Sequence, residues 1–234
     1  MVTKLRAWIE DYIHAANFYS KSFIYREPPE HYLGHISDTK VPIILVPGLN
    51  TKWQFLKLIA DRISILGHPI YVVSSLGYNR KEIQESAKLV RALIDEKNLK
   101  NVIILSHSKG GLIGKEVLIR LNEDKKILKV IAIATPFLGS GITKFSLDKS
   151  VKELAPKSEI IQEHNKNFDV NKDIISIYGM YDNHVWPTEH SILEGAENIQ
   201  VDIDGHHKIL AKPKARELIV KKIEEITQNI EHKN

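Results

Sequence analysis

The sequence contains no cysteine. That absence excludes a disulfide scaffold, a thiolate-held metal and a thiol nucleophile together. No uninterrupted apolar run comes near the roughly 18 residues that a bilayer-spanning helix needs. An excess of one charge is missing too. The 33 Lys and Arg stand against 29 Asp and Glu, and the net charge of +4 is spread without a basic tract, so no nucleic-acid partner is expected. Glu10 and Asp11 occupy the place where a secretory leader would have its apolar centre, which makes a cytoplasmic protein the expectation. What is present is ordinary for a globular chain. The 234 residues are 43% apolar and 26% charged, enough for one core and a single domain over 1–234.

Short apolar runs alternate with longer amphipathic stretches. VPIILV (41–46), IYVV (70–73), NVIIL (101–105), VIAIA (130–134), DIISIY (173–178) and NIQVDI (198–203) read as strands. Most are continuous rather than alternating, the pattern of strands covered on both faces. Helical spacing falls on 53–66, on 81–97 with Ile83, Ala87, Val90 and Ile94 on one face, on 109–122, and on 213–230 behind Pro213. The rhythm predicts an α/β protein with an open, doubly wound, mostly parallel sheet. Two segments stand outside it. Residues 1–26 predict a helix carrying Trp8, Tyr12, Phe18, Tyr19, Phe23 and Tyr25, which would either pack on the body or present an aromatic face to a membrane surface or a pocket. Residues 137–172 are too long for a plain connection and predict a small lid or cap.

The stretch ILSHSKGG (104–111) ends a strand on a polar residue and starts a helix at once. Such a corner pushes Ser108 out of the sheet, requires small neighbours two residues away (here Ser106 and Gly110), and points free helix N–H groups at a developing oxyanion. The alternative is a plain turn with Ser108 as a helix cap. A serine nucleophile needs a base, and the base an orienting acid, each past a later strand. Asp182 follows DIISIYGMY and His206 follows NIQVDIDG, so Ser108, Asp182 and His206 are expected as catalytic residues in that order. His207 is the rival base and Glu189 the weaker acid, while Asp204 lies too close to the histidine in sequence. His184 and His190 beside Asp182 lack a zinc-ligand spacing, so no metal and no cofactor is expected. His107 is expected to pack under the corner. The backbone N–H groups of Leu49, in the loop VPGL, and of Lys109 are the expected oxyanion donors.

These blocks resemble a known family. VPGL, SHSKGG, ATPFLGS, YDNHVWP and GHHKIL are similar, in order, to the blocks of α/β-hydrolase-fold lipases and esterases, over roughly 41–210. SHSKGG stands for G-H-S-x-G-G with Ser106 for the first glycine. ATPFLGS stands for T-P-H-x-G-S with Phe137 for histidine, and Pro47 replaces the histidine of H-G-x. The resemblance implies an α/β-hydrolase fold and a serine hydrolase acting on small-molecule or lipid acyl esters through Ser108, Asp182 and His206. A thioesterase or acyltransferase on the same triad is the enzymatic alternative, and a non-catalytic lipid- or partner-binding protein the alternative of another class. Phe137, Leu138, Phe145 and Leu147 are expected to line an acyl pocket or else to fill the core beneath it.

Overall fold

The structure, a computed structural model, describes residues 2–231, without the side chains of Val2, Thr3, Phe145 and Glu231. Phe145, one of the four expected pocket residues, therefore has its side chain outside the described residues. Six strands are present among the described residues: β1 (Ile43–Val46), β2 (Ile70–Val72), β3 (Val102–His107), β4 (Ile127–Ile133), β5 (Ile174–Tyr181) and β6 (Glu197–Asp204). Helices run in the order α1 (Val2–Ile24), α2 (His31–Gly34), α3 (Lys57–Ile65), α4 (Ile83–Glu96), α5 (Lys109–Arg120), α6 (Lys149–Lys152), α7 (Glu159–His164), α8 (Lys208–Ala211) and α9 (Pro213–Glu231). The strands form one parallel sheet in the order β2-β1-β3-β4-β5-β6. The predicted α/β class and doubly wound parallel sheet are those observed.

The continuous apolar runs have a direct cause. Successive side chains on a strand face opposite ways. On β1, Ile43 and Leu45 join one core with Phe18 of α1, Ile59 and Ile63 of α3 and Ile219 and Ile223 of α9. Ile44 and Val46 join the other, with the α4 stripe Ile83, Ala87, Val90 and Ile94 and with Leu112, Ile113 and Val117 of α5. Both faces are covered, so both parities must be apolar. Each such side chain contributes about 1.5–3 kcal/mol by leaving water. The edge strand β6 has a neighbour on one side only, and there exposed Asp202 and Asp204 alternate with buried Val201 and Ile203.

Strand order reverses between β1 and β3, which makes their carboxyl ends the crevice where open α/β sheets take ligands. β3 delivers Ser108 to that place. The two glycines behind it are packing residues. A Cβ on Gly110 would lie 2.2 Å from the Val46 carbonyl oxygen, and one on Gly111 would lie 2.1 Å from Thr135 Oγ1. The first turn of α5 can sit on β1 only because these positions carry no side chain. Residues 137–172 hold α6, α7, the 3-10 turn Gly141–Phe145 and the start of the turn Asn171–Asp173, and part of this segment lines the crevice. The stretch predicted as one helix over 53–66 is a 3-10 turn, Trp53–Phe55, followed by α3.

Because the obstacle at Gly110 is backbone, Gly110→Ala is expected to cost at least about 2 kcal/mol of stability. Gly34→Ala, where a Cβ meets nothing within 4 Å, should change it by less than about 0.5 kcal/mol. Chemical denaturation of the two variants beside the wild type measures both.

Candidate active site

Ser108 alone makes the corner between β3 and α5. Its backbone adopts φ 53° and ψ −125°, a region that costs a residue with a side chain about 1–3 kcal/mol. Three contacts hold it there. The Ser108 N–H donates to the Ile133 carbonyl at 2.8 Å. The Ser108 carbonyl accepts from Thr135 Oγ1 at 2.9 Å and from the Gly111 N–H at 3.0 Å. Ser106 is fully buried and donates its hydroxyl to the Ile131 carbonyl at 3.0 Å, so β4 absorbs the side chain that the usual glycine would lack. His107 lies buried under the corner as expected. Its Nε2–H donates to the His206 carbonyl at 3.0 Å, and burial holds its imidazole well below the ordinary range.

Asp182 follows β5 directly, and His206 follows β6 after Gly205. Their side chains meet: His206 Nδ1 lies 2.8 Å and 3.1 Å from the two carboxylate oxygens of Asp182. A carboxylate accepts, so Nδ1 carries the proton and the Nε2 lone pair is left for the cavity. Oδ1 of Asp182 also accepts from the N–H groups of His184 at 2.7 Å and Val185 at 2.9 Å. Burial pushes the Asp182 carboxyl up to about 6, against the pull of those two donors. Burial likewise lowers the His206 imidazole, and neighbouring His207 lowers it further. The His184 ring stacks on His206 at 4.7 Å and 20°, and burial lowers its pKa too. At neutral pH His206 is therefore a neutral imidazole.

The rival residues are placed elsewhere. His207 Nδ1 donates to Asp11 at 2.9 Å. Glu189 borders a second cavity of about 610 Å³, Asp204 is exposed on β6, and His190 Nδ1 donates to the Gly139 carbonyl at 2.7 Å. Asp11 is the residue that sequence reasoning missed. It is fully buried, and its carboxylate accepts from the backbone N–H groups of His207 (2.6 Å) and Lys208 (2.8 Å), from His207 Nδ1 and from Asn183 Nδ2 at 3.1 Å. Asn183 Oδ1 in turn accepts from the His206 N–H at 3.0 Å. The signal was present: Asp11 shares the buried stripe of α1 with Ala7, Ala15 and Phe18, and an acid inside an apolar stripe needs partners. Asp11, His184 and His207 offer donor atoms within 4.8 Å of one another. The Asp11 oxygens are already occupied by four N–H groups, however, and the cluster works as a hydrogen-bonded hub.

Ser108, His206 and Leu49 line one cavity of about 430 Å³. Among the described residues no hydrogen bond joins Ser108 Oγ to His206, so the serine and the imidazole face the same space without touching. The backbone N–H groups of Leu49 and Lys109 donate to no described backbone group. The loop bearing Leu49 passes so close that a Cβ on Gly48 would lie 3.0 Å from Ser108 Cβ. The Lys109 side chain runs away from the cavity, buried, to the Lys81 carbonyl and to Glu153 at 3.8 Å. Glu153 also accepts the N-terminal N–H of α4, from Ile83, at 3.0 Å.

The expected acyl pocket is corrected in its members. Phe137 is buried in the core beneath α5. Leu138 faces the second cavity, and Leu147 is 92% exposed. The right segment lines the cavity with other residues, Ile142, Thr143, Val151 and Leu154, joined from α1 by Tyr12 and Tyr19. Ser140 Oγ pins this segment down by donating to the His184 carbonyl at 2.7 Å and accepting from the Trp186 N–H at 3.0 Å.

Residues 72–234 match the family described as PGAP1-like alpha/beta domain. The chain belongs to that family. Asp11 and Leu49 lie before the matched stretch. Among solved structures, lipase B of Aspergillus fumigatus superposes with a TM-score of 0.68 at 21% identity, over 82% of this chain and 54% of that one. The chain thus spans about half of the fungal protein. Mature lipase BlEst2 of Bacillus licheniformis gives 0.65 at 16% identity over 84% and 96%. The monoacylglycerol lipase of Paleococcus ferrophilus gives 0.59 at 14% over 80% and 94%. These likenesses establish the α/β-hydrolase fold. No curated protein matches the chain in sequence.

Removing the Asp11 carboxylate leaves two buried backbone N–H groups and two side chains without an acceptor. Asp11→Ala is therefore expected to lower stability by about 3 kcal/mol. Thermal and urea unfolding report the loss, with Glu10→Ala, a half-buried neighbour paired to Arg6 and Lys208, as the comparison.

Proposed function

We propose that the protein is a serine hydrolase of carboxylic acyl esters. The reading is carried by one observation: His206, held by buried Asp182, and a strained Ser108 line the same cavity, near the Leu49 and Lys109 N–H groups that donate to no described backbone group. In this reading Ser108 Oγ attacks the acyl carbonyl, and its proton passes to the Nε2 of His206. Asp182, bonded to Nδ1–H, fixes the tautomer and stabilises the imidazolium. The Leu49 and Lys109 amides hold the tetrahedral oxyanion, each worth on the order of 10²–10³ in turnover. His206 then returns the proton to the leaving alkoxide, the alcohol departs, and water deacylates Ser108 by the same route. The apolar lining by Ala15, Ile142, Val151 and Leu154 favours acyl groups of short to medium length.

A fluorophosphonate probe with peptide mass spectrometry tests the nucleophile. An adduct on Ser108, absent after heat denaturation, is the expected result. Folded protein that stays unlabelled would instead speak for a binder that keeps the corner without the chemistry. Ser108→Ala should lower turnover of a soluble ester by several orders of magnitude, and matched ester and thioester pairs separate an esterase from a thioesterase.

The pH profile follows from the dyad. The base must be neutral to act, and burial disfavours its protonation, so activity persists as pH falls past 6.5. The first proton goes onto the Asp182–His206 pair below that value. The acid limb of kcat/KM is expected with its midpoint below pH 6.5, and a midpoint at or above 7 would contradict the assigned protonation states.

A further inference from the structure

Helix α1 is apolar on two sides, and of the second side only Tyr12 and Tyr19 line the Ser108 cavity. Ala7, Asp11, Ala15 and Phe18 are buried. Leu5, Ile9, Tyr12, Ile13, Tyr19, Phe23 and Ile24 fall on a separate arc of about 140° at the helical 100° per residue. Leu5, Ile9, Ile13, Phe23 and Ile24 of this arc are each more than half exposed. The stripe runs the length of a 23-residue helix, about 34 Å at 1.5 Å per residue. So many large exposed apolar side chains in one row mark an interaction surface.

Its position says what it meets. Tyr12 and Tyr19 belong both to the stripe and to the lining of the Ser108 cavity. Leu147 follows the lining residue Ser146 in sequence, and Trp186 follows Val185, with the Trp186 ring 6.1 Å from Trp8 on α1. Exposed apolar and aromatic residues thus adjoin the cavity lining in sequence, and the Trp186 group also touches the helix. A protein docked here would close the cavity. A fluid lipid surface would cover the same groups and feed the cavity. Tyrosine and tryptophan suit the boundary between headgroups and acyl chains. The charges agree: Arg6 and Glu10 pair with each other on α1 and Asp11 is buried, so Lys4 and Lys21 are the charges of this helix left outside an ion pair among the described residues. Among the described residues no helix is long and apolar enough to cross a membrane. A two-sided helix of this kind lies in the interface.

We propose that α1 docks the protein on a lipid surface, in the plane of the headgroups, with the cavity mouth turned toward the lipid. Docking stands on the stripe alone, whereas delivery of a lipid acyl ester to Ser108 rests on the serine-hydrolase reading.

Co-sedimentation with vesicles of phosphatidylcholine, alone and mixed with phosphatidylglycerol, tests the docking. Wild type and Ser108→Ala should both pellet, more strongly with the anionic mixture. The double variant Ile9→Asp with Phe23→Asp should partition at least about tenfold less while still hydrolysing a soluble short-chain ester at the wild-type rate. Leu5→Asp with Ile13→Asp supplies a second pair on the same stripe. Wild type that stays in the supernatant with both vesicles, or paired variants that pellet unchanged, overturns the proposal. So does light scattering that finds a wild-type dimer split by these substitutions, since the stripe would then join two copies of the chain. Vesicle binding that depends on the stripe, in a protein that neither hydrolyses esters nor takes the fluorophosphonate label, would sink the hydrolase reading and leave the docking standing.

Discussion

The backbone of Ser108 is the constraint on which the rest depends. A side-chain-bearing residue held at φ 53° is unfavourable on its own and persists because its surroundings fix it. β4 and the turn just past it supply two of the fixing groups, the Ile133 carbonyl and the Thr135 hydroxyl. The side-chain-free positions at Gly110 and Gly111 let α5 begin against β1 and Thr135 rather than further out. With the corner fixed, the first N–H of α5 and the loop at Gly48 converge on one small region. Sheet order, helix placement and glycine positions are therefore parts of one arrangement.

Around that corner the protein gathers two buried carboxylates, Asp11 and Asp182, and four imidazoles, buried His107, His206 and His207 and half-buried His184. The imidazole rings lie 4.7–5.7 Å from their neighbours, so a positive charge on one disfavours a charge on the next. Each carboxylate is instead stabilised by N–H donors, three for Asp182 and four for Asp11. The two acids divide the labour. Asp182 orients the ring of His206, and Asp11 holds the backbone that carries it.

The fold was legible because a strand covered on both faces must be apolar at every position, and runs such as IILV and VIIL say so. The places of Ser108, Asp182 and His206 were legible because each stands just past a strand, a continuous apolar run before Ser108 and Asp182 and an alternating one before His206. The acyl pocket was not. Phe137 and Leu138 are adjacent, yet one points into the core and the other to a different cavity, and no periodicity in the irregular 137–172 segment tells them apart. Asp11 was hidden for another reason. Its partners lie at the far end of the chain, and local patterns do not report contacts across the whole sequence. The family match begins at residue 72 and leaves it out as well.

Asp11 grips groups 196 and 197 residues away. On the ribosome α1 emerges before β1, and the His206 loop only after β6. The corner at Ser108 can take shape from β1, β3 and β4 while that loop is still unmade, but His206 reaches its final bonds only once the loop can meet α1. Through the synthesis of β5 and β6 the nascent protein thus carries its serine corner without the imidazole beside it. Assembly of the site waits on every element from α1 to α8.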